Sequence, residues 1–376
     1  MSRRIGLVVN PIAGMGGAVG LKGTDGAAAP DRARELGAVP RAADRAALAL
    51  RALAPLQGRF ALVTCAGAMG EQAAHVAGLA PVLLPLASGE PTTAADTRAA
   101  ALALRRAGIE LLAFAGGDGT ARDVHAALGR SPLPILGIPA GVKLRSAVFA
   151  PTPARAGAVM AAWLEAAPGT VPLREAELVD IDLADLQADR PVQQLYGTAL
   201  VPAPRSYVPA AKAAPQLVDE AALDGLAREL AAEAEPGRLY LYGPGATTRC
   251  ILRAHGIDDG TLLGVDAVRD GRLVGRDLGE AATLELLGHG PATIVTGVVG
   301  GQGFLFGRGN QQLGPCVLQR VGRDAIVVVA GLEKLATLAP LQLITDTGDA
   351  VVDAMLAGWL RVRTAPACST MVRVVA

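Results

Sequence analysis

The sequence predicts an α/β protein with an N-terminal, Rossmann-like parallel-sheet domain and a second, β-rich domain. In the first third of the chain, short β-branched runs alternate with longer segments that have helical apolar spacing. This strand–helix order is typical of a parallel sheet flanked by helices. From about Pro151 the pattern changes to mostly strand-like runs. We therefore expect an α/β domain over residues 1–150, a β-rich domain over 151–335, and a C-terminal segment, 336–376, that packs back on the first domain.

The elements of the first domain follow one another in a regular order. The predicted strands are Ile5–Val9, Phe60–Cys65, Val82–Pro85, Leu111–Ala115 and Ile135–Ile138. The predicted helices are Arg41–Leu53, Glu71–Ala77, Thr92–Ala107 and Ala121–Leu128. Threonines that can cap a helix open the third of these, and its Ala, Leu and Arg residues favour a helix.

The remaining elements are mostly strands. Helices are predicted over Ala154–Ala166 and Asp219–Ala234, with strands over Glu177–Asp185, Leu195–Val201, Arg238–Tyr242, Leu262–Val268, Thr293–Val299 and Ala325–Ala330. The dipeptide Asp270-Gly271 predicts a hairpin turn after one of these strands. The chain ends in a strand, a helix and a strand, over Leu341–Ile344, Asp349–Leu360 and Met371–Val375.

Composition and charge exclude several classes of partner. Lys+Arg and Asp+Glu balance at 35 each, which argues against broad electrostatic binding to nucleic acid. No segment approaches the roughly 20 apolar residues of a membrane span, and the apolar run Ile5–Val9 is too short for a signal peptide. The four cysteines have no CxxC spacing, so neither a zinc site nor a disulfide framework is expected. We expect a cytoplasmic protein that binds neither membrane nor nucleic acid.

The most informative segment is the loop after the predicted strand Leu111–Ala115, which reads Gly116-Gly117-Asp118-Gly119-Thr120. Glycines let a backbone approach a phosphate closely, and the following helix N-terminus offers N–H groups and partial positive charge to an anion. An acid in such a loop repels phosphate unless a metal or an acceptor hydroxyl lies between them, as phosphoryl transfer requires. The loop therefore predicts a phosphoryl-transfer site, and a glycine-rich turn without a ligand is the alternative.

Two loops carry a resemblance to a known superfamily. The segment Gly116–Thr120 resembles the GGDGT signature of ATP-NAD kinases, which diacylglycerol and sphingosine kinases share. The segment Asn10–Gly14, at the end of the first strand, is similar to the Asn-Pro-x-x-Gly loop of the same superfamily. Longer strings are similar to a divergent ATP-NAD kinase-like branch, some members of which are encoded with acetoin-catabolism genes: 10–26, 116–124, 137–150, 300–313 and 346–349. The resemblance spans nearly the whole chain.

The resemblance implies a role for each matched residue. Asp118 would contact the acceptor hydroxyl as a general base or orienting group. Phosphates would be held by Gly116, Gly117, Gly119 and Thr120, with Asn10 and Gly14 beside them on the neighbouring strand end. The phosphoryl donor would be ATP or polyphosphate, and the acceptor would be NAD. Mg²⁺ would bridge oxygens of the donor, and its protein ligands are not assigned. The resemblance also implies a homo-oligomer.

Other loops combine glycine with polar or charged side chains. The loop Lys22–Gly26 could close over a nucleotide, and Lys143 and Arg145 could supply positive charge to a polyphosphate. The loop Gly243–Thr248, after a strand, is similar to an anion or ribose loop. Two more are dense in glycine, which is costly to order unless backbone geometry or a ligand demands it. A plain surface loop is the alternative for each. The candidate nucleotide-binding residues are Lys22, Asp25, Lys143, Gly243, Gly245, Thr247, Thr248, Gly301 and Asn310.

The identity of the acceptor stays open. NAD kinases carry an Asn-Glu pair that binds the ribose and adenine of NAD, and this sequence has no Asn-Glu dipeptide. The nearest acidic candidates in the second domain are Asp266, Asp277 and Glu280. The chain could phosphorylate NAD to NADP, act on another small hydroxyl metabolite, or be a non-catalytic nucleotide-binding regulatory protein. The presence of Asp118 disfavours the last, because a pure binder gains little from an acid beside phosphate.

Overall fold

The computed structural model describes residues 3–17, 19, 21, 29–86, 89, 91–129, 131–141, 144–181, 193–203, 220–288, 290–299, 303–338 and 340–376. The chain divides into two compact units. The first comprises residues 1–16 and 23–208, and the second comprises residues 17–22 and 209–376.

The first unit contains alternating strands and helices. Its described strands are β1 (Arg3–Val9), β2 (Phe60–Cys65), β3 (Val82–Leu84), β4 (Leu111–Gly116), β5 (Ile135–Pro139), β6 (Leu173–Ile181) and β7 (Gln193–Pro202). Its described helices are α1 (Ala29–Glu35), α2 (Ala42–Leu50), α3 (Glu71–Val76), α4 (Ala94–Arg106), α5 (Asp118–Leu128) and α6 (Pro153–Glu165). Short 3₁₀ turns cover Arg51–Leu56 and Gly67–Met69.

The described strands β1 to β5 form a parallel sheet in the order β3-β2-β1-β4-β5. Ile5 of β1 lies opposite Leu62 of β2 on one side and Leu111 of β4 on the other. The chain therefore builds outward from β1 through β2 and β3, then returns to add β4 and β5 on the other side. Ligands of open α/β sheets bind outside the carboxyl ends of the strands where the order reverses. Here that point lies between β1 and β4.

Each face of this sheet packs against its own helices. Leu7 shares a hydrophobic cluster with Leu50 of α2 and Met160 of α6. Its neighbour Val8 belongs to the opposite cluster, which contains residues of α4 and α5. Successive side chains of a strand point to opposite faces, and β4 is buried along its whole length. The predicted parallel-sheet fold class is confirmed.

The hairpin of β6 and β7 belongs to the first unit. The two strands pair antiparallel, and Ala176, Leu178 and Val201 share a buried cluster with Phe114 of β4. The sequence placed a domain boundary after residue 150 because the strand–helix alternation stops there. The structure places the division near residue 208, since α6 and the hairpin bury their apolar side chains against the first sheet.

The second unit is rich in strands. Its described strands are β8 (Leu239–Tyr242), β9 (Val265–Arg269), β10 (Arg272–Leu278), β11 (Ala292–Gly297), β12 (Phe304–Phe306), β13 (Ile326–Val329), β14 (Gln342–Thr345), β15 (Gly358–Ala365) and β16 (Cys368–Val375). Its described helices are α7 (Glu220–Ala232), α8 (Ala246–Ala254), α9 (Glu280–Leu287), α10 (Pro315–Val321), α11 (Leu332–Ala336) and α12 (Ala350–Leu356). A 3₁₀ turn covers Arg323–Ala325.

Within the described residues these strands form one mixed sheet, in the order β10-β9-β8-β11-β13-β15-β16-β14-β12. The hairpin predicted at Asp270-Gly271 is confirmed, because β9 and β10 pair antiparallel across it. Both turn residues have positive φ, 51° and 69°, as a two-residue type I′ turn requires. The prediction of a strand-rich second domain is confirmed as well.

The C-terminal segment, which the sequence analysis assigned to packing on the first domain, supplies β14, β15 and β16 to this mixed sheet. Val362, Val372 and Val374 are buried in the same cluster as Leu241 of β8 and Ile294 of β11. The alternation of these valines with polar residues directs one face of the hairpin into that cluster. None of the described helices is long and apolar enough to cross a bilayer.

Candidate active site

The loops after β1 and β4 are joined by a hydrogen bond. Asn10 follows β1, and its Nδ2 donates to Oγ1 of Thr120 in the first turn of α5, at 2.9 Å. The Asn10 main-chain N–H donates to the carbonyl of Ala115 at 2.9 Å, and Asn10 Oδ1 accepts from the N–H of Ile12 at 3.3 Å. The structure therefore brings the two sequence motifs together at the reversal point of the sheet.

Two of the motif glycines are required by close packing. Gly14 has φ of 79°, and a Cβ there would overlap the carbonyl oxygen of Ala140 after β5. A Cβ on Gly116 would overlap the side chain of Thr120. The fold explains these glycines without a ligand, because only glycine permits such approaches.

Gly117 differs from these two. It precedes α5 with φ of −112° and ψ of −169°, which any residue can adopt. A Cβ there would lie 3.4 Å from Cα of Gly141, an ordinary contact distance. Gly119 follows in the first turn of α5 and is half-buried. The first N–H groups of a helix have no partner within the helix and carry partial positive charge. A glycine that the fold does not require thus lies where an anion would approach.

Asp118 is the first residue of α5 and is 6% exposed. Its Oδ2 accepts the main-chain N–H of Arg145 at 2.8 Å, and its Oδ1 accepts that of Ser146 at 3.0 Å. Burial raises the pKa of Asp118 to about 6; the hydrogen bonds from Ser146 and Arg145 oppose this rise, and the charge of Asp180 adds to it. A carboxylate with a pKa near the working pH suits a general base.

Ion pairs join α5, the helix that begins at Asp118, to neighbouring elements. On α5, Arg122 lies 3.1 Å from Asp180 of β6, and Asp123 lies 2.7 Å from Arg98 of α4. The Arg122 guanidinium also lies 5.4 Å from the ring centre of Tyr196. Pairs between α5 and its neighbours therefore fix the helix whose N-terminus carries the loop.

Two residues near the loops escaped the sequence analysis. Arg45 of α2 donates from Nε to the carbonyl of Pro139, the last residue of β5. Ser146 supplies one of the N–H groups on Asp118. Neither has a motif, and only the folded chain brings them to this edge of the sheet. Arg145, which the sequence analysis singled out for charge, is partly buried, and desolvation lowers its pKa.

A cleft of about 500 Å³ lies at the same edge of the sheet. It is lined by Pro11 and Ile12 after β1, by the turn Gly67–Met69 after β2, and by Thr92 before α4, among others. Asp31 and Arg34 of α1 also line it and form an ion pair at 2.6 Å. Small-molecule sites commonly enclose about 300–1,000 Å³, so the cleft has the size of a nucleotide site.

In the second unit, four predicted residues gather where β8 leads into α8. Oγ1 of the buried Thr248 lies 2.6 Å from the carbonyl of Gly243 and 2.9 Å from that of Gly245. Gly245 has φ of 138°, and Thr247 faces Gly297 at the end of β11. The Thr248 hydroxyl closes this turn, so its first role is to shape the loop.

Asn310 follows β12 and is completely buried. Its Nδ2 donates to the carbonyl of Leu305 at 2.7 Å, whereas its Oδ1 has no hydrogen-bond donor in the described part of the chain. Gln312 is similar, with Nε2 at 3.4 Å from the carbonyl of Leu263 and Oε1 without a donor there. Buried polar atoms normally find a partner in protein or ordered water.

The acidic candidate Asp266 is occupied by its own fold. Oδ2 accepts the N–H of Thr261 at 2.6 Å, and Oδ1 accepts the Thr261 hydroxyl at 3.1 Å and the N–H of Asp277 at 3.0 Å. Asp266 is 1% exposed. This carboxylate organises the ends of β9 and β10, which explains an acid here without a ligand.

Four predicted residues lie outside the described residues: Lys22, Asp25, Lys143 and Gly301. Across the described ranges, no three His, Cys, Asp or Glu side chains are grouped as metal ligands. Magnesium in kinases is commonly held by one or two carboxylates together with substrate phosphates. Among the described residues, a magnesium ion would therefore depend on the phosphates of its substrate for most of its ligands.

Two family models match the chain. Residues 5–167 match the ATP-NAD kinase N-terminal domain, and residues 237–374 match the ATP-NAD kinase C-terminal domain. No curated protein and no solved structure matches significantly. The first match contains both loops at the reversal point of the parallel sheet, and the second contains the mixed sheet. With both domains in their family order over most of its length, the chain belongs to the ATP-NAD kinase superfamily.

Proposed function

We propose that this kinase transfers the terminal phosphoryl group of ATP or polyphosphate to a hydroxyl of NAD, giving NADP. The observation that carries the proposal is the position of Asp118, at the N-terminus of α5 and beside the reversal point of the sheet. The match to both ATP-NAD kinase domains supports the same reaction.

The chemistry follows from the first unit. The acceptor hydroxyl oxygen forms a bond to the terminal phosphorus, the bond between that phosphorus and the bridging oxygen breaks, and the hydroxyl proton passes to the Asp118 carboxylate. The leaving group is ADP, or a polyphosphate one unit shorter. The N–H groups of the first turn of α5 hold the phosphates, and the absence of a side chain at Gly117 leaves room for them. Mg²⁺ bound to the donor would neutralise phosphate charge.

We place the donor nucleoside in the cleft beside Pro11 and Ile12. It begins next to Asn10, whose side chain contacts Thr120 of the phosphate loop. A nucleoside there would place its phosphate chain toward the N-terminus of α5. Polyphosphate has no nucleoside and would leave the cleft empty, so substitutions in the cleft separate the two donors.

A second acceptor class, another small hydroxyl metabolite, is favoured by one observation. The sequence has no Asn-Glu dipeptide, and Asp266 gives its oxygens to the chain itself. Asp266 is thus committed to the fold and does not replace the acid with which NAD kinases bind the NAD ribose. We rank this acceptor class second, because both family models name NAD kinases.

The test is a magnesium-dependent kinase assay with ATP or polyphosphate, in which mass spectrometry follows NAD, NADH and a panel of small polyols and ketols. The control pair is Asp118→Asn and Asp44→Asn, the latter an exposed aspartate in the first turn of α2. NADP formation that Asp118→Asn lowers and Asp44→Asn leaves intact supports the proposal. A phosphorylated metabolite other than NADP establishes the second acceptor class, and tight ATP binding without turnover contradicts both.

We also propose that the protein is a homo-oligomer in the cytoplasm. The resemblance to the superfamily supports the assembly, and the balanced charge of the chain is compatible with self-association. Light scattering at assay concentration tests the assembly, and the mass of a single chain would contradict it.

A further inference from the structure

Ser146 lies between Asp118 and the hairpin strand β6. It is 2% exposed, and its main-chain N–H donates to Asp118 Oδ1 at 3.0 Å. Its side-chain Oγ donates to the carbonyl of Val179 at 2.9 Å and accepts the N–H of Val179 at 3.1 Å. One residue thus holds the carboxylate with its backbone and β6 with its side chain.

The neighbours of Ser146 extend this connection. Arg145 donates its N–H to the other carboxylate oxygen of Asp118 at 2.8 Å. On the other side, Ala147 donates its N–H to the carbonyl of Glu177 in β6 at 2.8 Å. The carboxyl plane of Asp118 is therefore fixed by two amides whose own segment is hydrogen-bonded to a strand. A carboxylate oxygen can accept two hydrogen bonds, so each oxygen keeps capacity for a substrate.

The β6–β7 hairpin contains a β-bulge at Val179, the residue that Ser146 contacts. The register shifts between Leu178 and Val179, so that Val179 lies opposite Leu195 after Leu178 lies opposite Gly197. Tyr196 is the extra residue of this bulge, and its ring faces Arg122. Bulges often re-aim side chains beside active sites. Here the bulge coincides with the point at which Ser146 contacts both polar groups of the Val179 backbone.

We propose that Ser146 is a positioning residue for phosphoryl transfer, which fixes the Asp118 carboxylate against β6 in the orientation that accepts the proton of the substrate hydroxyl. The proposal rests on the function proposed above. Alanine at position 146 would leave the N–H and carbonyl of Val179 without their present partner at a partly buried position, and such losses release a segment from its position. The carboxylate would then lose the rigid segment that orients it.

The pKa of Asp118 is the quantity whose measurement tests this positioning role. The charged groups that act on Asp118 are Arg145 from the segment after β5 and Asp180 from β6, which pairs with Arg122. Arg45 reaches the neighbouring strand end at Pro139. Hydrogen bonds from Ser146 lower the pKa of Asp118 against the larger effect of burial. Losing these hydrogen bonds while the carboxyl stays buried therefore raises the pKa of Asp118, whereas a loss of packing that admits water to the carboxyl lowers its pKa.

The experiment compares Ser146→Ala with Ser146→Thr, which keeps the hydroxyl, and with Ser131→Ala. Ser131 is a matched control, because the hydrogen bond that its Oγ accepts within the described residues is local, from the N–H of Leu133 at 3.3 Å. NMR titration of the Asp118 side-chain carbon, assigned with Asp118→Asn, gives the pKa without a substrate. Steady-state kinetics from pH 5 to pH 9 give kcat and KM, and Ser146→Cys, with a weaker donor, replaces Ser146→Ala if the latter does not fold.

We expect the Asp118 titration to move to higher pH in Ser146→Ala and to stay in place in Ser131→Ala. At pH 7, kcat should fall roughly tenfold with KM nearly unchanged, a fraction of what a positioned acid–base group contributes. Ser146→Thr should restore both. An active wild type whose titration and kcat are unchanged by Ser146→Ala would overturn the Ser146 proposal alone. A wild type without kinase activity would overturn the proposed function, and with it any catalytic role for Ser146.

Discussion

The side-chain amide of Asn10 donates a 2.9 Å hydrogen bond to the hydroxyl of Thr120, across the carboxyl ends of two neighbouring strands. The two residues are 110 positions apart in the chain. Because the side-chain oxygen Oδ1 of Asn10 also accepts the N–H of Ile12, one side chain shapes its own loop and holds the next. The asparagine of the first motif therefore has a structural task before any ligand binds.

We predict that Asn10 and Thr120 are energetically coupled. Asn10→Ala and Thr120→Val should each lower the free energy of unfolding by about 1–2 kcal/mol, because each removes their shared hydrogen bond together with one longer contact, to Ile12 or to Gly117. The double variant should cost less than the sum by roughly 0.5–1.5 kcal/mol, because either change alone already breaks the bond. Urea unfolding of the four proteins measures the coupling. Strictly additive costs would show that the contact contributes nothing to stability.

The motif glycines should separate into two classes when each is replaced by alanine. Gly14→Ala introduces a Cβ at positive φ that overlaps the carbonyl oxygen of Ala140. It should lower the free energy of unfolding by about 2 kcal/mol or more. Gly117→Ala has an ordinary backbone conformation and a 3.4 Å contact, so its cost should stay below about 1 kcal/mol.

At Gly117, replacement by alanine should affect ligand binding more than it affects stability. Its new methyl group lies where we place the phosphates, so Gly117→Ala should weaken ATP binding in calorimetry while the protein keeps its stability. Gly58→Ala is a control for the effect of positive φ alone, since Gly58 has φ of 83° and no atom within 4 Å of a Cβ. Unchanged ATP affinity in a stable Gly117→Ala protein would remove Gly117 from the phosphate site.

The sequence predicted the parts of the site that follow local rules. A strand followed by glycines and a helix places Asn10 and the loop of Asp118 at strand ends, and parallel strands bring those ends to one edge. The amides of Arg145 and Ser146 on Asp118 could not be predicted, because they depend on how the segment after β5 lies against β6. The sheet that the C-terminal strands join was equally hidden, since their alternating valines fit any sheet with an open face.

The activity of the proposed kinase should have an acid limb set by Asp118. Its pKa is raised to about 6 by burial, and only the ionised carboxylate can accept the hydroxyl proton. We therefore expect kcat/KM to fall tenfold per pH unit below about pH 6 and to level off above it. In Asp118→Asn the rate should fall about 10²–10⁴-fold and lose this limb. A limb that persists in Asp118→Asn would assign it to another group.

The titration of Asp118 should also make the free energy of unfolding depend on pH. Its pKa is raised from 3.8 in the unfolded chain to about 6 in the folded one, so the folded state binds the proton more tightly. Its contribution to stability is complete below pH 3.8 and is lost as the pH rises through 6. Relative to Asp118→Asn, the wild type should therefore lose about 3 kcal/mol between pH 3 and pH 7. Unfolding of both proteins at the two pH values measures this change, since the other groups cancel. A constant difference would refute the raised pKa.

Asp266 tests whether an acid in the second unit serves the fold or the acceptor. Its two oxygens accept three hydrogen bonds from Thr261 and Asp277, and the residue is buried. Asp266→Asn turns one acceptor into a donor that faces another donor. The free energy of unfolding should therefore fall by about 2–4 kcal/mol. Asp270→Asn is the matched control: it creates an Asn-Gly turn at a residue with φ of 51°, so its cost should stay below about 0.5 kcal/mol.

The two roles of Asp266 make opposite predictions in kinetics. If the carboxylate serves the fold, Asp266→Asn retains the acceptor KM at temperatures where the protein is folded, and only its melting temperature falls. A direct contact with the acceptor would raise KM and leave the melting temperature unchanged. Because all three hydrogen bonds to Asp266 come from the chain itself, we expect the first result, and the second would return Asp266 to the acceptor site.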